Sequence, residues 1–159
     1  MMKIKIIALG KLKESYLRDA SKEYEKRLSR YCDLEIVELN PVKLSDNPSK
    51  NEIENALGCE ADMIIKKIPS GSKIIAMCIE GKQPTSEVFA NEIKAFSDRG
   101  EQLVFIIGSS YGISETVKKL ADKRMSVSSM TFPHQLFRVM LLEQIYRAFK
   151  INEGGTYHK

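Results

Sequence analysis

Two segments of the chain carry the residue types and spacings that could do chemistry. The first, GSSYG at residues 108–112, follows an unbroken apolar run and is a glycine-bounded loop where a ligand could approach the backbone. The second, SSMTFPHQ at residues 128–135, places small hydroxyl side chains around Met130 and Phe132. Each also has a plainer interpretation, because the first could be a simple tight turn and the second a surface loop before a helix.

The spacing of these residues does not support several common kinds of site. Residues 108–112 match neither the GxGxxG dinucleotide motif nor the GxxxxGK[ST] phosphate loop. His134 and His158 are the only histidines and have no carboxylate cluster near them in the sequence, which argues against a metal site. Arg138 could bind phosphate or pair with a carboxylate, and its place in a helical pattern favours the pair.

The elements that must position these segments alternate between strand and helix. Strands are predicted from apolar runs at residues 2–9, 34–39, 73–80 and 103–107, with a short fifth strand at Met125, Val127 and Ser129. Three of the strands end at a glycine that a helix follows, at Gly10, Gly81 and Gly108. This alternation predicts an α/β fold with a mostly parallel sheet, flanking helices and a ligand at the carboxyl ends of the strands.

The last helix, predicted to begin at Pro133, has the most unusual composition in the chain. Its apolar residues cover far more than the roughly 100° stripe that a surface helix needs, so it must be covered on two sides. The sheet provides one cover, and we expect a second copy of the protein to provide the other. Earlier helices are predicted to begin at Ser49, where Glu52 completes a capping box, near Thr85, and at Ser114.

Length and composition favour one domain spanning residues 1–159. The net charge is +4 but uneven, with nine Lys/Arg against four Asp/Glu in residues 1–30 and two against eight in residues 31–64. Such a distribution is compatible with an anionic partner, nucleic acid included, without requiring one. Three cysteines without CxxC spacing, and no apolar stretch of membrane-spanning length, predict a reduced, cytoplasmic protein with no membrane contact.

Several motifs together resemble those of one known family. They are KIIALGKLKESY with EYEKRL near the start, IEGK at residues 79–82, VFIIGSSYG at 104–112, MTFPHQLFRVMLLEQIYRAFKI at 130–151 and TYHK at 156–159. On these the chain resembles the RlmH family, SPOUT-class enzymes that use S-adenosylmethionine to methylate N3 of a pseudouridine in large-subunit (23S) ribosomal RNA. The motifs extend over the whole chain; only residues 40–60 match none of them.

The resemblance implies further properties that periodicity and composition do not reveal. It implies a C-terminal trefoil knot, a homodimer, the assembled ribosome as partner and S-adenosyl-L-methionine held in the knot, without a metal. The cofactor positions of the family fall on Met77, Gly108, Val127, Ser128, Ser129, Met130, Thr131 and Phe132. Their backbone groups and apolar side chains suit an adenosine and a thioether.

The target nitrogen must lose a proton, so the reaction calls for a base or for groups that stabilise the anion. The candidates are His158 and Tyr157 in the tail, with Arg138 and His134 as positioners of phosphate or base. We expect the tail of one subunit to complete the site of the other. Two alternatives remain at this point: a non-catalytic ribosome-associated or nucleotide-sensing dimer, and a methyltransferase of the same class aimed at another RNA, such as tRNA.

Overall fold

Five parallel strands form one sheet in the order β2-β1-β4-β3-β5 in the computed structural model, which describes residues 1–159. The strands are β1 (Met2–Leu9), β2 (Cys32–Leu39), β3 (Lys73–Lys82), β4 (Leu103–Ile107) and β5 (Lys123–Met125). β4 lies between β1 and β3 and is buried along its whole length, because helices cover both faces of the sheet. An unbroken apolar run is what such a doubly covered parallel strand requires.

Five helices form the two outer layers. They are α1 (Ser15–Leu28), α2 (Lys50–Ile65), α3 (Ser86–Asp98), α4 (Glu115–Leu120) and α5 (His134–Asn152). One face of the sheet packs with residues of α1, α3 and α5 around Phe105, and the other packs with α2 and α4 around Val104. Alternate residues of β4 therefore serve two separate cores, as the two-residue period of a strand dictates.

Side-chain caps fix where three of the helices begin. The hydroxyl groups of Ser49, Thr85 and Ser114 accept hydrogen bonds from the backbone N–H three residues on, at 3.2, 3.2 and 3.3 Å. These contacts confirm the three predicted starts, since each satisfies an otherwise unpaired N–H of the first turn. The capping box at Ser49 is only half formed, because the Glu52 carboxylate accepts from Ser45 instead, at 3.4 Å.

The broad apolar surface of α5 is covered largely within the same chain. α1 and α3 flank it, and Leu141, Leu142 and Ile145 are fully buried against the sheet. The expectation that a second copy of the protein must cover the other side of α5 is therefore wrong as far as it rests on the composition of this helix, because α1 and α3 of the same chain cover it. Leu136, at the start of α5, is 38% exposed. The homodimer itself stays a prediction.

The predicted parallel α/β sheet with flanking helices is confirmed, and the fifth strand is only partly so. β5 ends at Met125 and does not continue to Val127 and Ser129. The reason is local: the Ser126 hydroxyl group donates to the carbonyl oxygen of Ser128 at 2.8 Å, which turns the chain away from the sheet. The trefoil knot stays a prediction. No helix combines the length and the apolar character that a membrane crossing demands.

Candidate active site

A cavity of about 460 Å³ lies beyond the carboxyl ends of β3 and β4. Two chain segments enclose most of it: the turn that follows β4, at residues 108–112, and the loop between β5 and α5, at residues 126–133. This is the edge of a parallel sheet where ligands bind in open α/β folds. About half of the lining residues are apolar, the mixture expected for a small-molecule site with a few orienting polar groups.

The turn after β4 is tight and depends on two glycines. The backbone N–H of Gly112 donates to the carbonyl oxygen of Ser109 at 2.8 Å, and Gly112 has a φ of +87°, a conformation that side chains disfavour. A Cβ atom at Gly108 would collide with the carbonyl group of Gly112. The turn is therefore both a tight turn and a wall of the cavity, so the two interpretations of this segment do not exclude each other.

The loop after β5 is stiffened from inside by Ser126. Its side chain is 6% exposed, its hydroxyl group donates to Ser128, and its backbone N–H donates to the carbonyl oxygen of Lys82 at 2.9 Å. The Ser128 hydroxyl group in turn accepts from the N–H of Met130 at 3.0 Å. This hydrogen-bonded loop holds its own backbone in place at the mouth of the cavity.

The structure brings together nearly all of the residues predicted to bind the cofactor. Seven of the eight line the cavity: Met77, Gly108, Val127, Ser128, Met130, Thr131 and Phe132. Ser129 is exposed beside them and does not line it. Of the apolar members, Met77 is buried in β3, whereas Met130 is 74% exposed and Phe132 37% exposed. The outer wall of the cavity is therefore an open apolar surface.

An ion pair that was not predicted from the sequence forms another part of the cavity lining. The Lys118 ammonium group donates to Glu80 at 2.5 Å, and both residues line the cavity. This contact is the largest cause that lowers the pKa of the Glu80 carboxyl group below its ordinary value. The carboxylate consequently stays ionised and paired at neutral pH.

The two positioning residues predicted on α5 lie in different surroundings. His134, the first residue of the helix, lines the cavity, as a residue acting on the substrate must. Arg138 is 4% exposed, donates to the carbonyl oxygen of Gly10 at 2.7 Å and forms an ion pair with Glu38. The role of Arg138 as a positioner of phosphate stays a prediction; in this structure its guanidinium group is enclosed. The alternative, a carboxylate pair, is confirmed.

Tyr157 and His158 lie away from the cavity, on the outer face of α5. The Tyr157 hydroxyl group donates to Glu143 at 2.7 Å, and the Arg147 guanidinium lies 4.8 Å from the centre of its ring. His158 Nδ1 is 3.2 Å from Arg147, and its Nε2 is 2.8 Å from Glu87 at the start of α3. Partial burial, followed by the bond to Glu143, raises the pKa of Tyr157, so its phenol stays protonated.

The sequence analysis missed Glu143 and Arg147 as partners of the tail. They are one helical turn apart and form an ion pair at 2.6 Å, so both face the same side of α5. Two features of the sequence could have indicated this contact: two opposite charges one turn apart in a largely apolar helix, and a tail that ends in Tyr-His-Lys. The sequence did not indicate that the tail runs back along α5 after Gly154, where a φ of +76° reverses the chain.

The sequence of this chain matches one known family over nearly its whole length. A family model described as "Predicted SPOUT methyltransferase" matches residues 2–158. The chain therefore belongs to the SPOUT methyltransferase family.

Curated relatives define the branch of the family. A protein of Clostridium beijerinckii named ribosomal RNA large subunit methyltransferase H is 53% identical over 159 residues, covering 99% of this chain and 100% of the relative. Relatives in Clostridium perfringens and in Streptococcus equi subsp. zooepidemicus are 49% and 46% identical over the same coverage, and their names are ribosomal RNA large subunit methyltransferase H 1 and H. The resemblance to the RlmH family is thereby confirmed, and with it an enzyme of the methyltransferase class.

Proposed function

We propose that the protein uses S-adenosyl-L-methionine to methylate N3 of a pseudouridine in the 23S ribosomal RNA of the assembled ribosome. The single observation that carries the proposal is the cavity built by the turn at residues 108–112 and the loop at 126–133. The names of relatives about half identical over the whole chain supply the substrate class. We further propose that it acts as a cytoplasmic homodimer that needs no metal.

The cavity residues suit this cofactor in size and chemistry. A volume of about 460 Å³ falls within the usual range for small-molecule sites. Gly108 and Val127 both line the cavity, and main-chain groups beside them would pair with the adenine and methionine edges. Met77 and Phe132 offer apolar contacts for the purine and the thioether.

When bound, S-adenosylmethionine supplies an electrophilic methyl group on a positively charged sulfur. S-adenosylmethionine would supply this methyl group to N3 of the pseudouridine, with its sulfur leaving as a neutral thioether, and the N3 proton would pass to a basic group of the protein. Alignment of the two reacting atoms supplies much of the rate. His134 lines the cavity and is placed to orient the target base.

We propose that the tail of one subunit serves the site of its partner. The observation that supports this is that Tyr157 and His158 do not line the cavity of their own chain, while the His158 side chain remains 26% exposed at an outer surface. The apolar surface of Met130, Phe132 and Leu136 beside the cavity would then be covered in the dimer. In a partner's site the tail would supply the base or the hydrogen bonds that stabilise the anion.

The first experiment measures transfer of a labelled methyl group from S-adenosylmethionine to assembled ribosomes that lack the modification. The control is ribosomes whose target uridine was never isomerised to pseudouridine. Label in the first sample alone would support donor, substrate and the need for pseudouridine together. Absence of label from both, with cofactor binding intact, would contradict the proposal and point to another RNA or to a non-catalytic role.

Mixed dimers test where the tail acts. One chain lacks residues 154–159, and the other carries Gly108→Ala, which destroys the cofactor turn; each is expected to be inactive alone. If sites are shared, a mixed dimer contains one intact turn with one intact tail, so up to about half of the sites should recover in those dimers. No recovery in dimers shown to be mixed would mean that tail and cavity act within one chain.

A further inference from the structure

A second cavity of about 420 Å³ lies next to the cofactor cavity, beyond the carboxyl ends of β1 and β2. The two cavities share a wall made of Ser109, Ser110, Tyr111 and His134. A methyl acceptor must come within about 3–3.5 Å of the donor, so an acceptor site has to adjoin the cofactor cavity, as this second cavity does. The volume falls within the range of pockets that hold a small ligand.

The shared wall is held in position from the inside by Glu60. This residue of α2 is 4% exposed, and both oxygens of its carboxylate are used. One accepts from the Ser109 hydroxyl group at 3.0 Å, and the other accepts from the backbone N–H of Val42 at 3.0 Å. Glu60 therefore ties the turn after β4 to the loop after β2, which forms the opposite side of the second cavity.

Tyr111 lies at the tip of that turn with 48% of the residue exposed. An aromatic side chain left half exposed on a rigid turn, between two cavities, offers a flat face on which a nucleic-acid base can stack. Stacking on an exposed aromatic ring is a common way for proteins to hold a base that has left its helix.

Positive charge lines the second cavity, at two residues that do not line the cofactor cavity. Lys11 and Lys13 both line it, both are exposed, and neither ammonium group is paired with a carboxylate. The acidic group of the lining, Glu60, is already engaged by its two donors. Unpaired lysines at the edge of a pocket favour a ligand that carries phosphate.

We propose that the second cavity binds the acceptor nucleotide: a pyrimidine turned out of its RNA strand, stacked on Tyr111, with flanking phosphates on Lys11 and Lys13. The inference rests on the proposed function and assigns the place where its substrate binds. His134 lies in both cavities and so faces donor and acceptor together. Turning a base out of the stack is a recurrent solution where an enzyme must reach one of its atoms.

Substitution of Tyr111 tests the stacking. Tyr111→Ala should raise the KM for ribosomes by roughly 5- to 100-fold, the usual effect of removing one stacked aromatic ring. Because Tyr111 lines both cavities, the dissociation constant for S-adenosylmethionine is measured as well and should rise by a smaller factor. Tyr111→Phe keeps the ring and should restore most of the affinity. The matched control is Tyr16→Ala, which removes another exposed tyrosine that lines neither cavity. A rise in the cofactor dissociation constant with an unchanged ribosome KM would overturn the proposal.

Substitution of the lysines tests the phosphate contacts. The double variant Lys11→Ala/Lys13→Ala should reduce by about two the slope of log affinity for ribosomes against log salt concentration. The control, Lys22→Ala/Lys26→Ala, removes the same charge from an exposed part of α1 and should leave the slope nearly unchanged. Equal effects of the two pairs would show general attraction to RNA and refute a defined acceptor site.

A direct binding measurement separates this inference from the proposed function. If the wild-type protein methylates no ribosome, the proposed function fails. The affinity of the protein for a short single-stranded RNA containing pseudouridine then tests by itself whether the second cavity binds a nucleotide. Weaker binding by Tyr111→Ala but not by Tyr16→Ala would then support the acceptor site. Equal binding by the wild type and both variants would overturn it.

Discussion

Replacement of the buried Arg138 by Met should destabilise the protein without involving the chemistry. The side chain is 4% exposed, pairs with Glu38 and donates to the carbonyl oxygen of Gly10. Removal of one member of a fully buried pair costs about 3–5 kcal/mol. Here the Glu38 side chain is 36% exposed and water can hydrate the carboxylate left behind, so we expect the free energy of unfolding to fall by roughly 2–3 kcal/mol.

Thermal and urea unfolding measure this loss. For a chain of this length about 1 kcal/mol corresponds to 2–4 °C, so the Tm should fall by roughly 4–12 °C. A double-mutant cycle with Glu38→Gln should give a coupling of roughly 0.5–3 kcal/mol, since the two residues are in contact. The control, Arg30→Met, removes an exposed arginine and should change stability by about 0.5 kcal/mol at most.

Methyl transfer measured below the unfolding transition completes the test. If Arg138 holds α5 to the ends of β1 and β2, the folded fraction of the variant should retain a KM for ribosomes close to that of the wild type. An Arg138→Met protein as stable as the wild type, with ribosome affinity reduced more than tenfold, would refute the structural role. It would support the phosphate-positioning role inferred from the sequence.

Three further predictions follow from the packing and the electrostatics. Gly81→Ala should lower the free energy of unfolding by more than about 1 kcal/mol, because its Cβ atom would collide with the backbone of β5. Gly58→Ala should raise the free energy of unfolding by about 0.5–1 kcal/mol, because the position lies inside α2 with open space around it. Burial raises the pKa of the Cys32 thiol to about 12, so alkylation at pH 8 followed by mass spectrometry should label it at least about a hundredfold more slowly than the exposed Cys59. NMR titration should give the Glu80 carboxyl group a pKa below its ordinary value, and that pKa should return towards the ordinary value in Lys118→Met, which removes the hydrogen bond that lowers it. The stability that this ion pair adds to the fold is present above the ordinary pKa of the carboxyl group and is lost as pH falls through its lowered pKa.

The strands and helix starts were predictable because each depends on residues close together in the sequence. The run at residues 103–107 was apolar enough to identify the central strand with both bounds correct. Ser49, Thr85 and Ser114 were recognisable as caps because a cap acts on an N–H three residues away. Local rules of this kind need no knowledge of the tertiary fold.

Two features escaped prediction because distant parts of the chain decide them, whereas the fifth strand was predicted too long because the Ser126 hydroxyl group forms a local bond. Arg138 takes its partners from β2 and from the end of β1, 100 and 128 residues away, and no helical pattern could identify them. The position of the tail depends in the same way on Glu143, Arg147 and Glu87, which lie on two different helices. The candidate cofactor residues were predicted through family motifs and not through periodicity, since a cavity is formed by loops whose pattern is irregular.

The first and last parts of the chain share one core, and this has a consequence for the order of folding. Ile4 and Ile6 of β1 pack in the same cluster as Leu141 and Ile145 of α5. β1 pairs with β2 and β4, but the apolar cluster that it shares with α5 is completed only when α5, near the end of the chain, has been made. Contacts between residues this far apart in the sequence are expected to make folding slower than in a protein whose contacts are local.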